Sequence, residues 1–172
     1  MENTKQDIRI YVACLASYNN GTLHGRWIDA SQGLEHIQGE VSAMLNASGV
    51  EDAEEWAIHD YEGFKGIRLS EYEGFEQVVE YAEFIEEHGA LGGKVYGHYN
   101  DLDDAKSALT EHYYGEYESI ADYAEQYVSD TMEVPTSLTF YVDYEKMGRD
   151  LEINDVLAIE TAHNEVHVFG RF

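Results

Sequence analysis

Glu76, Glu80, Glu83 and Glu87 recur at i, i+4, i+7 and i+11. At about 100° per residue this spacing gathers four carboxylates into one narrow stripe of a helix. The surrounding stretch, EYEGFEQVVEYAEFIEEHG over residues 71–89, holds seven glutamates and no lysine or arginine. A row of unpaired carboxylates has one chemistry to offer, the binding of cationic groups. It also carries a cost: like charges at i,i+4 destabilise a helix by roughly 0.2–0.5 kcal/mol per pair, where a Glu–Lys pair would stabilise it by a similar amount. Phe75, Val78, Ala82 and Ile85 fall on the other side, so the segment is expected to have a core face and a carboxylate face.

Other constellations are weaker. His163, Glu165 and His167 alternate, and imidazole and carboxylate suit zinc, so a metal-dependent hydrolase is one alternative reading. The run does not match H-E-x-x-H on a helix, and Asn164 suits a turn, so no metal and no cofactor is expected. Asp101, Asp103 and Asp104 lack the glycine and the final glutamate of a calcium loop and fit a helix N-cap better. Gly92-Gly93-Lys94 lacks the spacing of a phosphate-binding loop and reads as a turn. Cys14 lies in the apolar run IRIYVACLA and reads as core filler; as the single cysteine it forms no intramolecular disulfide. No Ser-His-Asp order or nucleophile elbow is visible. Acid pairs are too abundant for any one of them to mark an acid/base dyad.

The chain has 172 residues, with 35 acids against 10 bases, a formal charge of −25 and 44% hydrophobic residues. The hydrophobic content makes it a folding chain rather than a disordered acid, and its negative field excludes direct nucleic-acid binding. Bases are absent between Arg26 and Lys65 and again between Lys106 and Lys146, intervals that hold nine acids each. Duplex DNA carries about one charge per 1.7 Å of axis, so this charge matches about 40 Å of duplex, or about 12 base pairs. Size and charge fit a decoy of DNA. A solvated surface or adaptation to salt would also supply acids, as would an acidic protein-interaction module. Against a plain solvated surface stand 14 tyrosines and the absence of any block of pure acid, which together fix the charge on a folded surface. MENTKQDIRIY offers no signal peptide, and nowhere do eighteen apolar residues run together, so a cytoplasmic location without a membrane partner is expected. Crowded acids should raise one another's pKa, so stability is expected to rise with salt or with falling pH.

The elements that must position these residues are readable in outline. Ile8–Ala16 and LHGRWID, joined through Asn19-Asn20-Gly21, predict a β-hairpin. Leu34, Ile37, Val41, Met44 and Leu45 predict a helix capped by Ser31 or Asp29 and ended by Gly49. EEWAIHDY predicts a third strand. The acidic helix should run to His88, with Gly89, Gly92, Gly93 and Gly97 breaking the chain beyond it. A helix through Ala105, Leu109 and Tyr113 comes after an Asp101 cap, and ESIADYAEQYVSD forms another. SLTFYVDYEKMG reads as helix or strand, and VLAIETAHNEVHVFGRF as a hairpin around His163-Asn164. The short echoes YEGF (61–64 and 72–75) and EYAEFIEE against DYAEQYVSD define no fixed repeat.

IYVACLASYNNGTLHGRWIDA (10–30) and IETAHNEVHVFG (159–170) closely resemble the ArdA family of antirestriction proteins, and the similarity runs along nearly the whole chain. Glu133-Val134-Pro135 followed by Phe140-Tyr141-Val142-Asp143 is similar to that family's antirestriction motif, with Thr136 where an acid is often found. The resemblance implies an elongated α+β protein of three small domains. These would be an N-terminal α+β domain (1–61), a mainly helical middle (62–103) and a C-terminal α+β domain with the dimer interface (104–172). It also implies carriage on mobile genetic elements, a homodimer, no catalytic residues, and occupation of the DNA groove of type I restriction-modification enzymes by imitation of bent DNA. The partner would be the methyltransferase core of specificity and modification subunits. On this reading Glu71, Glu73, Glu76, Glu80, Glu83, Glu86, Glu87, Asp101, Asp103, Asp104, Glu111, Glu116, Glu118, Asp122 and Glu125 stand in for phosphates. Val134, Pro135, Phe140, Tyr141 and Asp143 carry the motif, linked in the family to dimer formation or activity.

Overall fold

A computed structural model describes residues 7–172; the signal-peptide reading of MENTKQ lies outside them. The β-branched, apolar run after Asp7 is extended, as its composition dictates. β1 (Arg9–Cys14) is flanked on both edges, since the helix α1 (Leu15–Asn19) leads to β2 (Gly25–Asp29) and a later strand pairs on the other side. The expected hairpin forms, with Ile10 opposite Ile28 and Val12 opposite Arg26. Its first strand stops at Cys14 rather than Ala16. Beyond that point Leu15–Asn19 winds into one short helical turn, closed by Thr22 N donating to Ser17 O at 2.9 Å. Gly21, at φ 80°, completes the reversal.

Asp29 does cap a helix, though not the one expected. Its carboxylate accepts from Ser31 N (2.9 Å) and Ser31 Oγ (2.6 Å), which opens a 3-10 turn over Ala30–Gln32. α2 (Leu34–Asn46) then starts after Gly33 without a side-chain cap and buries Ile37, Val41 and Met44. β3 (Trp56–Glu62) pairs antiparallel with β1 and completes the sheet.

α3 (Phe75–Tyr99) differs from the sequence reading at its second half. Gly89, at φ 56° and ψ −141°, interrupts it as expected, but the helix then resumes through Gly92, Gly93 and Gly97. Gly92-Gly93-Lys94 is therefore helical, not a turn. A Cβ on Gly93 would overlap the carbonyl oxygen of Lys65. Glycine here answers a close approach of backbones, and that demand is invisible to a rule that reads glycine as punctuation.

The chain divides into two compact units, one ending at Gly93 and the other beginning at Lys94. In the second, α4 (Leu102–Glu111) stops short of the predicted Tyr113. Tyr113 instead opens β4 (Tyr113–Tyr117), a strand the helical spacing concealed. α5 (Ile120–Thr131) is capped by Ser119, whose side chain accepts from Asp122 N. SLTFYVDYEKMG resolves into a 3-10 turn over Thr136–Tyr141 and then α6 (Tyr144–Asn154). β5 (Val156–Ala162) and β6 (Glu165–Gly170) form the predicted hairpin, with Asn164 at φ 58° in its turn. β6 lies between β4 and β5 in a second antiparallel sheet. Tyr123, Val156 and Val168 form its buried centre, with Tyr117, Ile120 and Leu151 packed around them. Each fully buried apolar side chain of this kind contributes about 1.5–3 kcal/mol. The fold class is α+β, as predicted. Among the described residues no helix is long and apolar enough to cross a membrane.

Candidate partner-binding surface

The two-faced character of α3 is a direct result of its sequence. Phe75, Val78, Ala82, Phe84 and Ile85 are buried, while Glu76, Glu80, Glu83, Glu86 and Glu87 lie on the other side, toward solvent. Phe75 anchors the first turn by stacking on Trp56, with centroids 4.0 Å apart. Glu76, Glu80, Glu83 and Glu87 meet no lysine or arginine among the described residues. Glu80 accepts a long hydrogen bond from Gln77 (3.4 Å), and Glu87 lies 3.7 Å from the ring of His88. The two acids ahead of the helix are more constrained. Glu71 uses its carbonyl to accept from Ile58 N at 2.8 Å and holds its carboxylate 4.0 Å from His59. Glu73 accepts from Ser70 N at 3.1 Å.

The remaining predicted acids belong to the second unit. Asp101 accepts from Asp103 N (2.9 Å) and Asp104 N (3.0 Å), which satisfies backbone donors at the start of α4. Asp103 and Asp104 are exposed in the first turn, where the helix dipole favours them. Glu111, Glu116, Glu118 and Glu125 face solvent to differing degrees, and Asp122 accepts from Ser119 Oγ at 2.5 Å. The structure thus puts one group of acids, Glu71 to Glu87, in the first unit and another, Asp101 to Glu125, in the second.

Several of the cations are engaged elsewhere. Arg9 pairs with Glu62 (2.6 Å) and lies over the Trp27 ring, and Arg26 pairs with Glu40 (2.9 Å). Lys94 Nζ donates to the Glu160 carbonyl at 2.6 Å. Arg171 donates to the carbonyls of Val156 (3.0 Å) and Glu152 (2.8 Å). These two cations are thus directed to backbone oxygens and form no ion pair with a carboxylate among the described residues.

The expectation of raised carboxylate pKa values is corrected at the two acids that are displaced. Burial pushes Asp29 up, but hydrogen bonds from Ser31 and Gln32 outweigh it and hold the carboxyl below its ordinary value. Glu165 is lowered by its hydrogen bonds to Thr161 and His167. Local donors, not neighbouring acids, decide both.

The His163–Glu165–His167 run is not assembled into a metal-ligating set. His163 is exposed in the turn, whereas His167 is buried on β6 with Nδ1 2.7 Å from the Tyr113 hydroxyl and Nε2 3.1 Å from Thr161 Oγ1. Thr161 Oγ1 also donates to Glu165. Among the described residues no group of three or more His, Cys, Asp or Glu is placed to hold a metal. Cys14 is fully buried, as expected for core filler.

The motif residues divide between structure and exposure. Pro135 accepts from Leu138 N at 2.8 Å in the 3-10 turn, and Asp143 accepts from Lys146 N at 2.9 Å as the N-cap of α6. Phe140 and Tyr141 are 97% and 83% exposed, and Met132 and Leu138 about half exposed. Met132 also lines a cleft of about 630 Å³ that the sequence reading missed. Asp122, Glu125, Ser129 and Met132 of α5 and the residue after it line it together with Tyr117, Val134 and Tyr144. The three- and four-residue spacing from Asp122 to Met132 was the available signal. Tyr144 could not have been placed there without knowing where α6 packs.

These features define a class: an α+β protein whose carboxylates lie on exposed helix faces and whose motif segment presents aromatic rings to solvent. The family described as antirestriction protein (ArdA) matches residues 10–165, and the chain belongs to it. Membership implies antirestriction activity, directed at restriction-modification enzymes. No curated protein matches the chain.

Proposed function

We propose that the protein inhibits type I restriction-modification enzymes by occupying their DNA-binding groove, with surface carboxylates where phosphates would sit. The observation that carries this reading is the row Glu76, Glu80, Glu83 and Glu87, turned to solvent and without a lysine or arginine partner among the described residues, on a helix whose opposite face is core. Successive acids rise about 4.5–6 Å along such a helix, a spacing on the scale of backbone charges in DNA. A fixed anionic surface attracts the Arg and Lys of a nucleic-acid groove and steers association. The protein acts without catalysis, in the cytoplasm, as a homodimer joined through the C-terminal part. The exposed Phe140 and Tyr141 support that join, since rings this open to water gain most by being covered. Mobile genetic elements would be its carriers, and the segments 1–61, 62–103 and 104–172 its working parts.

The test is displacement. Purified protein should release labelled duplex DNA from a type I methyltransferase core in proportion to its concentration, while binding no duplex itself. Retention of the DNA at saturating protein, or a direct complex with the duplex, would sink the mechanism.

A further inference from the structure

The cleft beside α5 has a chemistry that the acidic row lacks. Asp122 and Glu125 supply negative charge, and no lysine or arginine lines the cleft. The Glu125 carboxylate has no hydrogen bond or ion pair among the described residues, so it is available. Tyr117 is held in place by edge-on packing against Tyr123, with centroids 5.2 Å apart, and by its hydroxyl donating to Tyr114 O at 3.2 Å. Tyr144 stands at the first turn of α6. Met132 and Val134 add apolar lining.

Acid, aromatic ring and apolar surface together fit one side chain best. An arginine offers a planar cation that forks onto carboxylates and stacks on aromatic faces, with an aliphatic stem for the apolar part. Lysine brings a compact, strongly hydrated charge that gains less from the rings. An anion is excluded by the two carboxylates, and a wholly apolar ligand would leave them buried without partners. The volume lies within the range of about 300–1,000 Å³ typical of pockets that enclose a ligand. We propose that this cleft receives an arginine side chain of the partner enzyme, its guanidinium pairing with Asp122 and Glu125 and stacking on Tyr144. The identity of that partner rests on the proposed function; the arginine selectivity of the cleft does not. On this view the surface adds to its phosphate-like charges a directional anchor that DNA itself does not possess.

The experiment uses the full chain with 13C-methyl methionine, titrated with N-acetyl-arginine amide or N-acetyl-lysine amide at equal ionic strength. Met132 lines the cleft, and Met44, buried on the inner face of α2 in the other unit, serves as the control. Expected is a saturable Met132 shift with the arginine probe, about threefold or more tighter than with the lysine probe, and a still Met44. Glu125→Gln should weaken the response, and Tyr144→Leu should remove the preference for arginine. Equal response to both probes, no saturation, or parallel movement of Met44 would overturn the proposal. So would a Met132 signal that tracks protein concentration and ignores arginine, which would mean that a second copy fills the cleft. A protein that fails to displace duplex from the methyltransferase yet keeps the arginine-selective shift refutes the mimicry and spares the cleft; the converse result refutes the cleft alone.

Discussion

Asp29 shows how a single carboxylate departs from the charge pattern around it. Hydrogen bonds from Ser31 and Gln32 lower its folded pKa below the ordinary 3.8. The stability this gives is fully present above that value and is lost as pH falls through the lower folded one. Asp29→Asn should therefore flatten the acid limb of the unfolding curve below about pH 4, the region of an unperturbed Asp. An unchanged limb would show that the carboxylate has no such part. Phe140 is the opposite case, a side chain with nothing to hold in the monomer. Phe140→Ser should leave urea unfolding of the monomer within about 0.5 kcal/mol of the parent, as expected for a surface change. In sedimentation it should shift the proposed dimer toward monomer; a dimer of unaltered strength would place the interface elsewhere. The family resemblance placed Phe140 in the motif, but its exposure was not legible from a residue type that is mostly buried elsewhere in the chain. Asp143 was placed in the same motif, and the structure gives it a plain reason to be acidic, the cap on Lys146 N.

Helix faces and hairpins were the most legible elements, because each is dictated by residues close in sequence. The core and carboxylate faces of α3 obey its 3.6-residue period, and Asn164 marked the β5–β6 turn correctly. The errors occurred where distant backbone decided. Gly93 lies against Lys65, a contact no local pattern reports, and β4 hid behind a Tyr113 that suited a helix equally well. Gly89 remains a genuine interruption: φ 56° with ψ −141° is backbone that side-chain-bearing residues adopt only at a cost of about 1–3 kcal/mol. Gly89→Ala should lower unfolding stability by that order, measured in urea, and a neutral result would mean that the helix straightens to accommodate it. On the same element, reversing Glu76, Glu80, Glu83 and Glu87 together to lysine should weaken DNA displacement on the order of tenfold or more, while each single Glu→Gln changes it less than about threefold. If the quadruple variant displaced DNA as well as the parent, the row would have no part in binding.

At the scale of the molecule, a charge of −25 on 172 residues is a standing repulsion. The Debye length falls from about 10 Å at 0.1 M salt to about 3 Å at 1 M. The melting temperature should accordingly rise over that range in a salt series with a weakly interacting ion such as chloride, and a flat series would mean that the acids are too far apart to matter. Displacement of DNA should weaken over the same series. The first effect belongs to the fold and the second to the partner, so the two need not share a midpoint.

Lys94 and Arg171 donate their hydrogen bonds to the carbonyls of Glu160, Val156 and Glu152. With 35 acids against 10 bases, most of the countercharge for the acids comes from mobile solution cations gathered near the surface. A basic groove that closes on this surface would return those ions to bulk solvent, and the resulting gain in mixing entropy would help to drive association, as it does for DNA itself. In that sense the protein would copy the duplex's ion atmosphere as well as its charge.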